Sequence, residues 1–453
     1  MHIGDDDNAV GRRLGVGPRR RGPIGHPLGG VMTQTVVIAG QGYVGLPLAV
    51  LAAESGHFHV VGYDVAVARI KQLAAAESYV EDVSGARLAG VLAAGTYKPT
   101  ADERDLDGFD VAVISVPTPL REGQPDLSHI EAVARTLAPR LRPGGTVVLE
   151  STTYPGTTEE LVGPLLEEGS GLRAGRDFHL GYSPERIDPG NRVWGLAETP
   201  KLVSGIDDAS LAAVRAFYDR VVNTTVPVPS PKVAELAKLV ENTFRHINIA
   251  LVNEIAIFAH ELGIDAWSAI DAASSKPFGF MRFTPGPGVG GHCLPVDPVY
   301  LSWRVSRALG RRFRFVELAN DVNEHMPDYV VQRLMEALNR RRRSVNGSRV
   351  LLLGLAYKPN TGDARESPAL RVAELLLELG ADVHAADPHV VEPIPVDPRL
   401  VRVELTEEEL AAADAVVVLT DHDGFDWDLV AARSAFVLDC RRRLARQEAV
   451  ELL

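Results

Sequence analysis

The most restrictive feature of this sequence is an alternation of apolar runs and helical stretches that begins at Thr35. The run TVVIAG leads through a glycine-rich turn into a helical stretch that ends near Gly56, and a second run, VVGYD, ends at Asp64. This order predicts a βαβ unit. Further strand-like runs begin at Asp110, Thr146, Phe178 and Lys201. Residues 32–226 are therefore predicted to form a doubly wound α/β domain.

A second, smaller alternation follows a helical region. The stretch from Ser230 to Leu262 keeps helical periodicity over roughly twice the usual helix length of about 11–12 residues. Further helices are predicted at about 265–275, 298–308 and 316–340. Strand-like runs restart at Arg349, Ala381, Asp414 and Ala435. The sequence thus predicts an α/β protein with two Rossmann-like doubly wound domains, at 32–226 and 346–453, joined by a long central helix and a helical dimerisation domain at 227–340.

The composition narrows the class of ligand and compartment. A formal charge of −13 argues against a nucleic-acid partner, and no apolar stretch approaches the ~18 residues that a membrane span needs, so no membrane insertion is expected. With only Cys293 and Cys440, no disulfide framework supports the fold, and a reducing cytoplasm is the expected compartment. Residues 1–31 are rich in Arg, Gly and Pro and are predicted to be a disordered extension; Met1 and Met32 are both candidate starts.

The glycine turn after the first strand is a candidate dinucleotide site. Its candidate cofactor-binding residues are Gly40, Gly42, Tyr43, Val44 and Gly45. The turn opens a helix, whose N-terminal N–H groups and dipole can hold a pyrophosphate. Asp64 follows 19 residues after Gly45, where a carboxylate can accept hydrogen bonds from ribose hydroxyls and would repel a 2′-phosphate. The pattern favours NAD over NADP, the alternative being a structural turn beside a surface aspartate.

A second glycine-rich segment, Gly286 to Cys293, carries few side chains and is open to close approach by a ligand. Because Asp297 follows four residues later, a thiol nucleophile is favoured over a small buried hydrophobe at Cys293. Cys440 ends an apolar strand without such a loop and is predicted to be a buried structural residue.

Two further groups of residues are candidates for chemistry. Lys238 and Asn242 are four residues apart and share a helix face, with Arg245 one turn further along, so an ammonium and an amide could stabilise an oxyanion. Taken alone, Lys238 is more typical of a solvated surface charge. Glu185 follows a strand, at the end where α/β sheets form ligand crevices, but an exposed loop glutamate fits the same pattern.

Together these motifs resemble the UDP-glucose/GDP-mannose dehydrogenase family, from about Thr35 to Arg443. The segment ending in Cys293 resembles the catalytic-cysteine motif of that family, and ELAKLVENTFR resembles its central-helix motif. Three active-site loops of the family are matched by VPTP with Thr118, EST with Ser151 and Thr152, and SPE with Glu185. The block GLAYKPNTGDARESPAL, with Lys358 and Arg365, resembles the start of its C-terminal nucleotide-binding domain.

The resemblance implies a four-electron oxidation of a UDP-sugar by two NAD⁺, with Cys293 as the nucleophile that forms a thiohemiacetal and then a thioester. It implies that Lys238 and Asn242 stabilise oxyanions and that Asp297 and Glu185 divide the proton transfers. Thr118 would position water and, with Thr152, contact the cofactor. The expected substrate contacts are Glu185, Arg186, Lys238, Asn242, Arg245, Gly290, Lys358 and Arg365. No metal is expected, and the resemblance implies a homodimer along the long helix and a uronic acid product for surface polysaccharide.

The residues after Glu185 bear on the sugar. SPERxxPG resembles the N-acetylated-sugar branch of the family, whereas the UDP-glucose type carries Phe-Leu after the glutamate. ENTFRHINIALVNE, KPFGF, HCLPVDPVYLSW and TDHDGFDWDL resemble bacterial UDP-N-acetylglucosamine 6-dehydrogenases. UDP-N-acetylglucosamine is the expected substrate, with UDP-N-acetylmannosamine, UDP-N-acetylgalactosamine and UDP-glucose as alternatives. Arg282 replaces a smaller residue of these relatives, which leaves an altered sugar preference open.

Two other interpretations use the same motifs. A single-step NAD-dependent dehydrogenase of the 6-phosphogluconate or hydroxyacid kind shares a Rossmann domain, a long helix and a Lys/Asn pair but needs no cysteine. A non-catalytic regulator that binds NAD or a nucleotide sugar would also explain two Rossmann-like domains. The joint presence of five candidate catalytic residues disfavours the regulator; they are Cys293, Lys238, Asn242, Asp297 and Glu185.

Overall fold

The computed structural model describes residues 34–188, 193–291, 294–391 and 397–453. The first ten strands are β1 (Gln34–Ala39), β2 (Phe58–Tyr63), β3 (Tyr97–Thr100), β4 (Val111–Ile114), β5 (Leu120–Arg121), β6 (Gln124–Pro125), β7 (Thr146–Leu149), β8 (His179–Tyr182), β9 (Lys201–Gly205) and β10 (Thr225–Pro227). Strands β5 and β6 form a small antiparallel hairpin. The other eight form one sheet in the order β10-β9-β8-β7-β4-β1-β2-β3, in which only the β8–β9 pair is antiparallel.

Helices cover both faces of this sheet, which explains its continuous apolar strands. The helices of this region are α1 (Gly45–Glu54), α2 (Val67–Ala74), α3 (Gly85–Ala93), α4 (Ser128–Leu137), α5 (Gly163–Ser170) and α6 (Asp208–Tyr218). Successive residues of β1 enter different cores: Val36 and Ile38 pack into one hydrophobic cluster, Val37 and Ala39 into another. The strand order reverses between β1 and β4, the position where doubly wound sheets open a crevice for ligands.

The central region is helical. Its helices are α7 (Pro231–Glu261), α8 (Ala266–Ser274), α9 (Asp297–Leu309) and α10 (Arg314–Arg340). Helix α7 begins with a hydrogen bond from the Val233 N–H to the Ser230 side chain and with a proline at its first position, where a missing N–H costs nothing. It runs for 31 residues, as the sequence predicted. Among the described residues, no helix is both long enough and apolar enough to cross a membrane.

The chain ends in a second α/β region. Its strands are β11 (Arg349–Leu353), β12 (Asp382–Ala386), β13 (Val401–Arg402), β14 (Ala415–Val418), β15 (Val437–Asp439) and β16 (Val450–Leu452), and its helices are α11 (Pro368–Glu378), α12 (Glu407–Ala412) and α13 (Trp427–Arg433). The strands form a parallel sheet in the order β13-β12-β11-β14-β15-β16. The predicted α/β class with two Rossmann-like sheets around a long central helix is confirmed.

Some details differ from the sequence prediction. Strands β3, β10, β13 and β16 and the β5–β6 hairpin were not predicted. All are short; β3, β10, β13 and β16 lie at or near sheet edges, where few residues are buried and the apolar pattern is weak. The domain boundaries stay a prediction, and the extension at 1–31 lies outside the described residues.

Candidate active site

The glycine turn between β1 and α1 has the shape of a dinucleotide site. Gly40 has a φ of +93°, and an added Cβ there would lie 2.0 Å from the Ser115 carbonyl oxygen. A Cβ on Gly45 would lie 1.8 Å from the Gly40 carbonyl oxygen, so strand and helix can pack this closely only without side chains. A Cβ on Gly42 would meet nothing within 4 Å, and among the described residues the buried Ser115 hydroxyl has no partner. Open backbone at a helix N-terminus fits a pyrophosphate.

Asp64 lies at the end of β2 and is buried. Its carboxylate accepts the N–H groups of Gln41 and Ala66, both at 2.9 Å, and pairs with the Arg69 guanidinium at 2.9 Å. The carboxylate therefore orders the turn. Arg69, which the sequence prediction did not single out, offsets part of the repulsion that Asp64 would exert on a 2′-phosphate.

Lys238, Asn242 and Asp297 form a buried polar cluster where α7 meets α9. Lys238 is only 8% exposed and Asn242 6%, so Lys238 is not the solvated surface charge that its neighbours alone suggested. The Asn242 side-chain amide donates a hydrogen bond to the Asp297 carboxylate. Burial raises the pKa of Asp297 to about 6, against the opposing effects of Lys238 and Asn242. The cluster combines an ammonium, an amide and a carboxyl group that can bind a proton near neutral pH.

Glu185 follows β8 and is buried, not the exposed loop glutamate of the alternative interpretation. One carboxylate oxygen accepts the N–H groups of Arg186 and Ile187, and the other accepts the Lys201 ammonium at 3.2 Å. Burial favours a higher pKa for Glu185, but Lys201 and then Lys238 outweigh it, so the pKa is lowered. Because Lys238 acts on both Glu185 and Asp297, the two predicted proton carriers share one electrostatic environment.

The sequence prediction missed three residues behind Glu185. The Lys201 ammonium also binds Glu150, and the Tyr218 hydroxyl donates to the second oxygen of Glu150 at 2.6 Å. All three side chains are buried. The sequence does contain a signal for two of them. Lys201 and Glu150 are charged residues directly beside the apolar runs that form β9 and β7.

Thr118 and Thr152, which the resemblance implies as cofactor contacts, lie together. The Thr118 hydroxyl donates to the Thr152 carbonyl oxygen at 2.9 Å, and the Tyr300 hydroxyl on α9 donates to the Thr118 carbonyl oxygen at 2.7 Å. These bonds connect the loops after β4 and β7 to the helix that starts with Asp297. Tyr300, which is fully buried, was not predicted as a site residue.

The segment that leads to Cys293 is anchored from two sides. The Gly286 N–H donates to the Asn253 side chain on α7 at 2.9 Å, and the Gly291 N–H donates to the Arg365 carbonyl oxygen at 3.2 Å. A Cβ on Gly290 would lie 2.6 Å from the Glu366 carbonyl oxygen, so this glycine permits close contact with the second α/β region. Cys293, the predicted nucleophile, lies outside the described residues.

The other cysteine is described. Cys440 is fully buried, and burial raises its pKa to about 12. This agrees with its prediction as a structural residue, because the reactive form of cysteine is the thiolate.

The remaining predicted substrate residues have different partners. Arg186 pairs with Glu241 at 2.7 Å, and Lys358 pairs with Asp188. Arg245 is exposed on α7.

Arg365 lies at the glycine turn. Its guanidinium is 5.6 Å from the centre of the Tyr43 ring and bonds to Asp363. The structure therefore brings Arg365 to the cofactor turn. Arg282, the departure noted in the sequence, pairs with Asp271 at the surface at 2.9 Å.

The second sheet has its own polar cluster at the ends of β11 and β12. Asp387 accepts the N–H groups of Leu355 and Ala356, the second at 2.9 Å, and lies 3.0 Å from the buried His422 ring. The His422 contact and these backbone donors outweigh burial and hold the pKa of Asp387 well below its usual range. Like Asp64 in the first sheet, Asp387 follows a strand and accepts backbone N–H groups of the turn after the neighbouring strand. The sequence prediction missed this cluster.

Models of three domains match the chain in order. The NAD binding domain of the UDP-glucose/GDP-mannose dehydrogenase family matches residues 34–222, the central domain of that family matches 232–325, and its UDP binding domain matches 351–446. Together the three matches cover most of the chain.

Individual relatives are named for different N-acetylated sugars. A UDP-N-acetyl-D-glucosamine 6-dehydrogenase of Pseudomonas aeruginosa is 39% identical over 77% of this chain and 81% of its own. An NDP-N-acetyl-D-galactosaminuronic acid dehydrogenase of Ralstonia solanacearum is 34% identical over 90% and 96%. The solved UDP-N-acetyl-D-mannosamine dehydrogenase of Pyrococcus horikoshii is 35% identical, with a TM-score of 0.84 over 92% of this chain and 98% of that one.

Proposed function

The chain belongs to the UDP-glucose/GDP-mannose dehydrogenase family, and from that membership we propose that it oxidises the C6 alcohol of a UDP-N-acetylhexosamine to a carboxylate. It is an NAD-dependent oxidoreductase of UDP-sugars. The balanced reaction takes one alcohol, two NAD⁺ and one water to one carboxylate, two NADH and three protons.

The observation that carries this proposal is the pair of buried carboxyl groups around Lys238. Glu185 has a lowered pKa and Asp297 a pKa of about 6, so one is ionised throughout the physiological range while the other can gain or lose a proton within it. Pairs of titratable groups whose pKa values are separated by their environments are typical of acid–base sites. Two such groups fit a reaction that removes protons from both an alcohol and a water.

In the first oxidation, Asp297 accepts the proton of the C6 hydroxyl. Lys238 and the amide of Asn242 stabilise the negative charge that develops on the oxygen, and burial strengthens this effect because water does not screen it. When bound at the glycine turn, NAD supplies the acceptor for the hydride that leaves C6.

In the second oxidation, the Cys293 thiolate adds to the resulting aldehyde and keeps it bound as a thiohemiacetal. Loss of a second hydride leaves a thioester. Glu185 then removes a proton from the attacking water, which Thr118 helps to position, and the C–S bond breaks to return the thiolate and the carboxylate. Assignment of hydrolysis to Glu185 follows from its lowered pKa, because a base must be ionised when water attacks.

For the sugar, we propose UDP-N-acetylglucosamine. The motif SPERxxPG after β8 supports an N-acetylated sugar, and relatives named for glucosamine, galactosaminuronic acid and mannosamine support the same class. We also propose that the enzyme is a homodimer whose interface includes α7, and that it acts in the cytoplasm, where cysteines stay reduced.

The first experiment incubates purified protein with NAD⁺ and a panel of UDP-glucose, UDP-N-acetylglucosamine, UDP-N-acetylgalactosamine, UDP-N-acetylmannosamine and GDP-mannose. NADH absorbance and product mass are measured together. We expect two NADH per UDP-N-acetylglucosamine and a carboxylate product. Turnover of another N-acetylated sugar alone would replace the sugar assignment, and one NADH per sugar would favour a single-step dehydrogenase. No NADH with any sugar would overturn the proposed function.

A further inference from the structure

A buried charge cluster lies behind Glu185 and is not used by the mechanism above. The Lys201 ammonium bridges Glu185, at 3.2 Å, and Glu150. The ammonium also lies 5.4 Å from the centre of the Tyr218 ring, whose hydroxyl binds Glu150. Lys201 is 2% exposed, Glu150 1% and Tyr218 0%. Such a cluster is costly to bury unless its charges nearly balance.

Taken by themselves, Lys201, Glu150 and Glu185 are neutral when they hold one extra proton. Two carboxylates and one ammonium would leave a net negative charge within the cluster, and burial disfavours an uncompensated charge. Glu185 receives two backbone N–H groups, the Lys201 ammonium and the field of Lys238. Among the described residues, Glu150 receives the shared ammonium and one neutral hydroxyl. The proton is therefore bound more easily by Glu150.

We propose that Lys201 and Glu150 are positioning residues for Glu185: the ammonium holds both carboxyl groups, and the proton of the cluster resides on Glu150, so that Glu185 stays ionised. The role of Glu185 as a base rests on the proposed function, whereas the location of the proton does not.

The directions of the pKa shifts agree with this geometry. Burial raises the pKa of Glu150 to about 7 although Lys201 opposes the shift. Burial lowers the pKa of Lys201, but the two carboxylates outweigh it, so that the ammonium stays charged. The charged or titratable groups around Glu185 are Lys201 on β9, Glu150 after β7, Tyr218 on α6, Lys238 on α7 and the Arg186–Glu241 pair.

Infrared difference spectroscopy across pH 5 to 9 tests the location of the proton without any substrate. Asp297→Asn serves as the parent protein, because Asp297 also titrates in this range. We expect the carbonyl band of a protonated carboxyl group to disappear with a midpoint near pH 7. The added substitution Glu150→Gln should remove this band. Glu185→Gln should keep it and lower its midpoint, because the neighbouring negative charge is gone.

The opposite pattern would overturn the proposal, as would a parent spectrum without any such band. A band that survives Glu150→Gln and vanishes in Glu185→Gln would place the proton on the catalytic carboxyl group.

The effect on catalysis is tested by the rate of thioester hydrolysis against pH in single turnovers. In this pH–rate profile, the rate falls at acid pH as Glu185 becomes protonated. Lys201→Met should shift the midpoint of that fall to higher pH by about one unit or more, because Glu185 loses a neighbouring positive charge. Lys201→Arg should return the midpoint to its wild-type pH. Glu150→Gln should leave both this midpoint and the KM for NAD unchanged, because a neutral amide replaces a neutral carboxyl group. An unchanged midpoint in Lys201→Met would overturn the inference. Absence of turnover in the wild-type protein would instead overturn the proposed function and leave the infrared test intact.

Discussion

At the scale of single residues, the two buried carboxyl groups near Lys238 differ because their neighbours differ. Glu185 is surrounded by N–H groups and ammonium groups, whereas Asp297 is bonded to one neutral amide and its pKa is lowered by the charge of Lys238 less than burial raises it. Two residues of similar chemistry therefore titrate in different ranges.

This difference makes the first oxidation sensitive to pH. Asp297 accepts a proton only as a carboxylate, so kcat/KM for the UDP-sugar should fall as the pH drops through about 6, the pKa of Asp297. Asp297→Asn should lower kcat/KM at pH 8 by about 10²-fold or more and remove this limb. Steady-state rates between pH 5 and 9 measure both effects. A wild-type limb near pH 6 that persists in Asp297→Asn would assign it to another group.

The two cysteines give a second prediction at this scale. Cys293→Ser should stop the reaction before the thioester forms, so that at most one NADH appears per sugar and an aldehyde is trapped by hydroxylamine. Cys440→Ala is the matched control, since Cys440 is buried with a pKa of about 12 and should keep two NADH per sugar. Two NADH per sugar from Cys293→Ser would contradict the covalent mechanism.

At the scale of elements, α7 carries candidate catalytic residues on one face and a stripe of exposed apolar residues on another. Lys238 and Asn242 are buried, whereas the stripe is at least 40% exposed at Val240, Phe244, Leu251, Ile255 and Phe258. Several stripe residues line a groove of about 620 Å³ beside α8. Their spacing is that of one helix face, which is how an amphipathic helix buries itself against a partner.

If α7 carries the homodimer interface, a charge on the stripe should separate the subunits. Leu251→Glu combined with Phe258→Glu should shift the protein from dimer to monomer at micromolar concentration, as measured by light scattering after size exclusion. Gln72→Glu, at an exposed position of α2, is the control and should leave the mass unchanged. A dimer that persists in the double variant would move the interface away from α7.

At the scale of the whole molecule, the second α/β region contributes to the cofactor end of the first. The Arg365 guanidinium lies over the ring of Tyr43 in the glycine turn, and the Arg365 carbonyl oxygen accepts the Gly291 N–H. One residue thus contacts both the NAD turn and the segment that leads to Cys293, although it is far from each in the sequence.

Loss of this contact should affect the cofactor more than the substrate. Arg365→Ala should raise the Kd for NAD by about 2- to 5-fold, the range expected for one exposed cation–π contact, and change the Kd for the UDP-sugar less. Calorimetry with each ligand measures the two values, and Arg371→Ala on α11 is the surface control. A larger effect on UDP-sugar binding would contradict this expectation and support the predicted role of Arg365 as a substrate contact.

The sequence by itself determined the α/β class, the two sheets and the long helix, because apolar periodicity and glycine turns are local properties of the chain. It also offered Lys238, Asn242, Asp297 and Glu185 as candidates, and the resemblance to the family favoured their catalytic interpretation over a surface lysine and an exposed loop glutamate. Tertiary structure alone decided that these four residues are buried, that Lys201 and Glu150 lie behind Glu185, and that Arg365 contacts Tyr43. The reason is physical: burial and the field of distant charges depend on which segments pack together, and no local pattern records that.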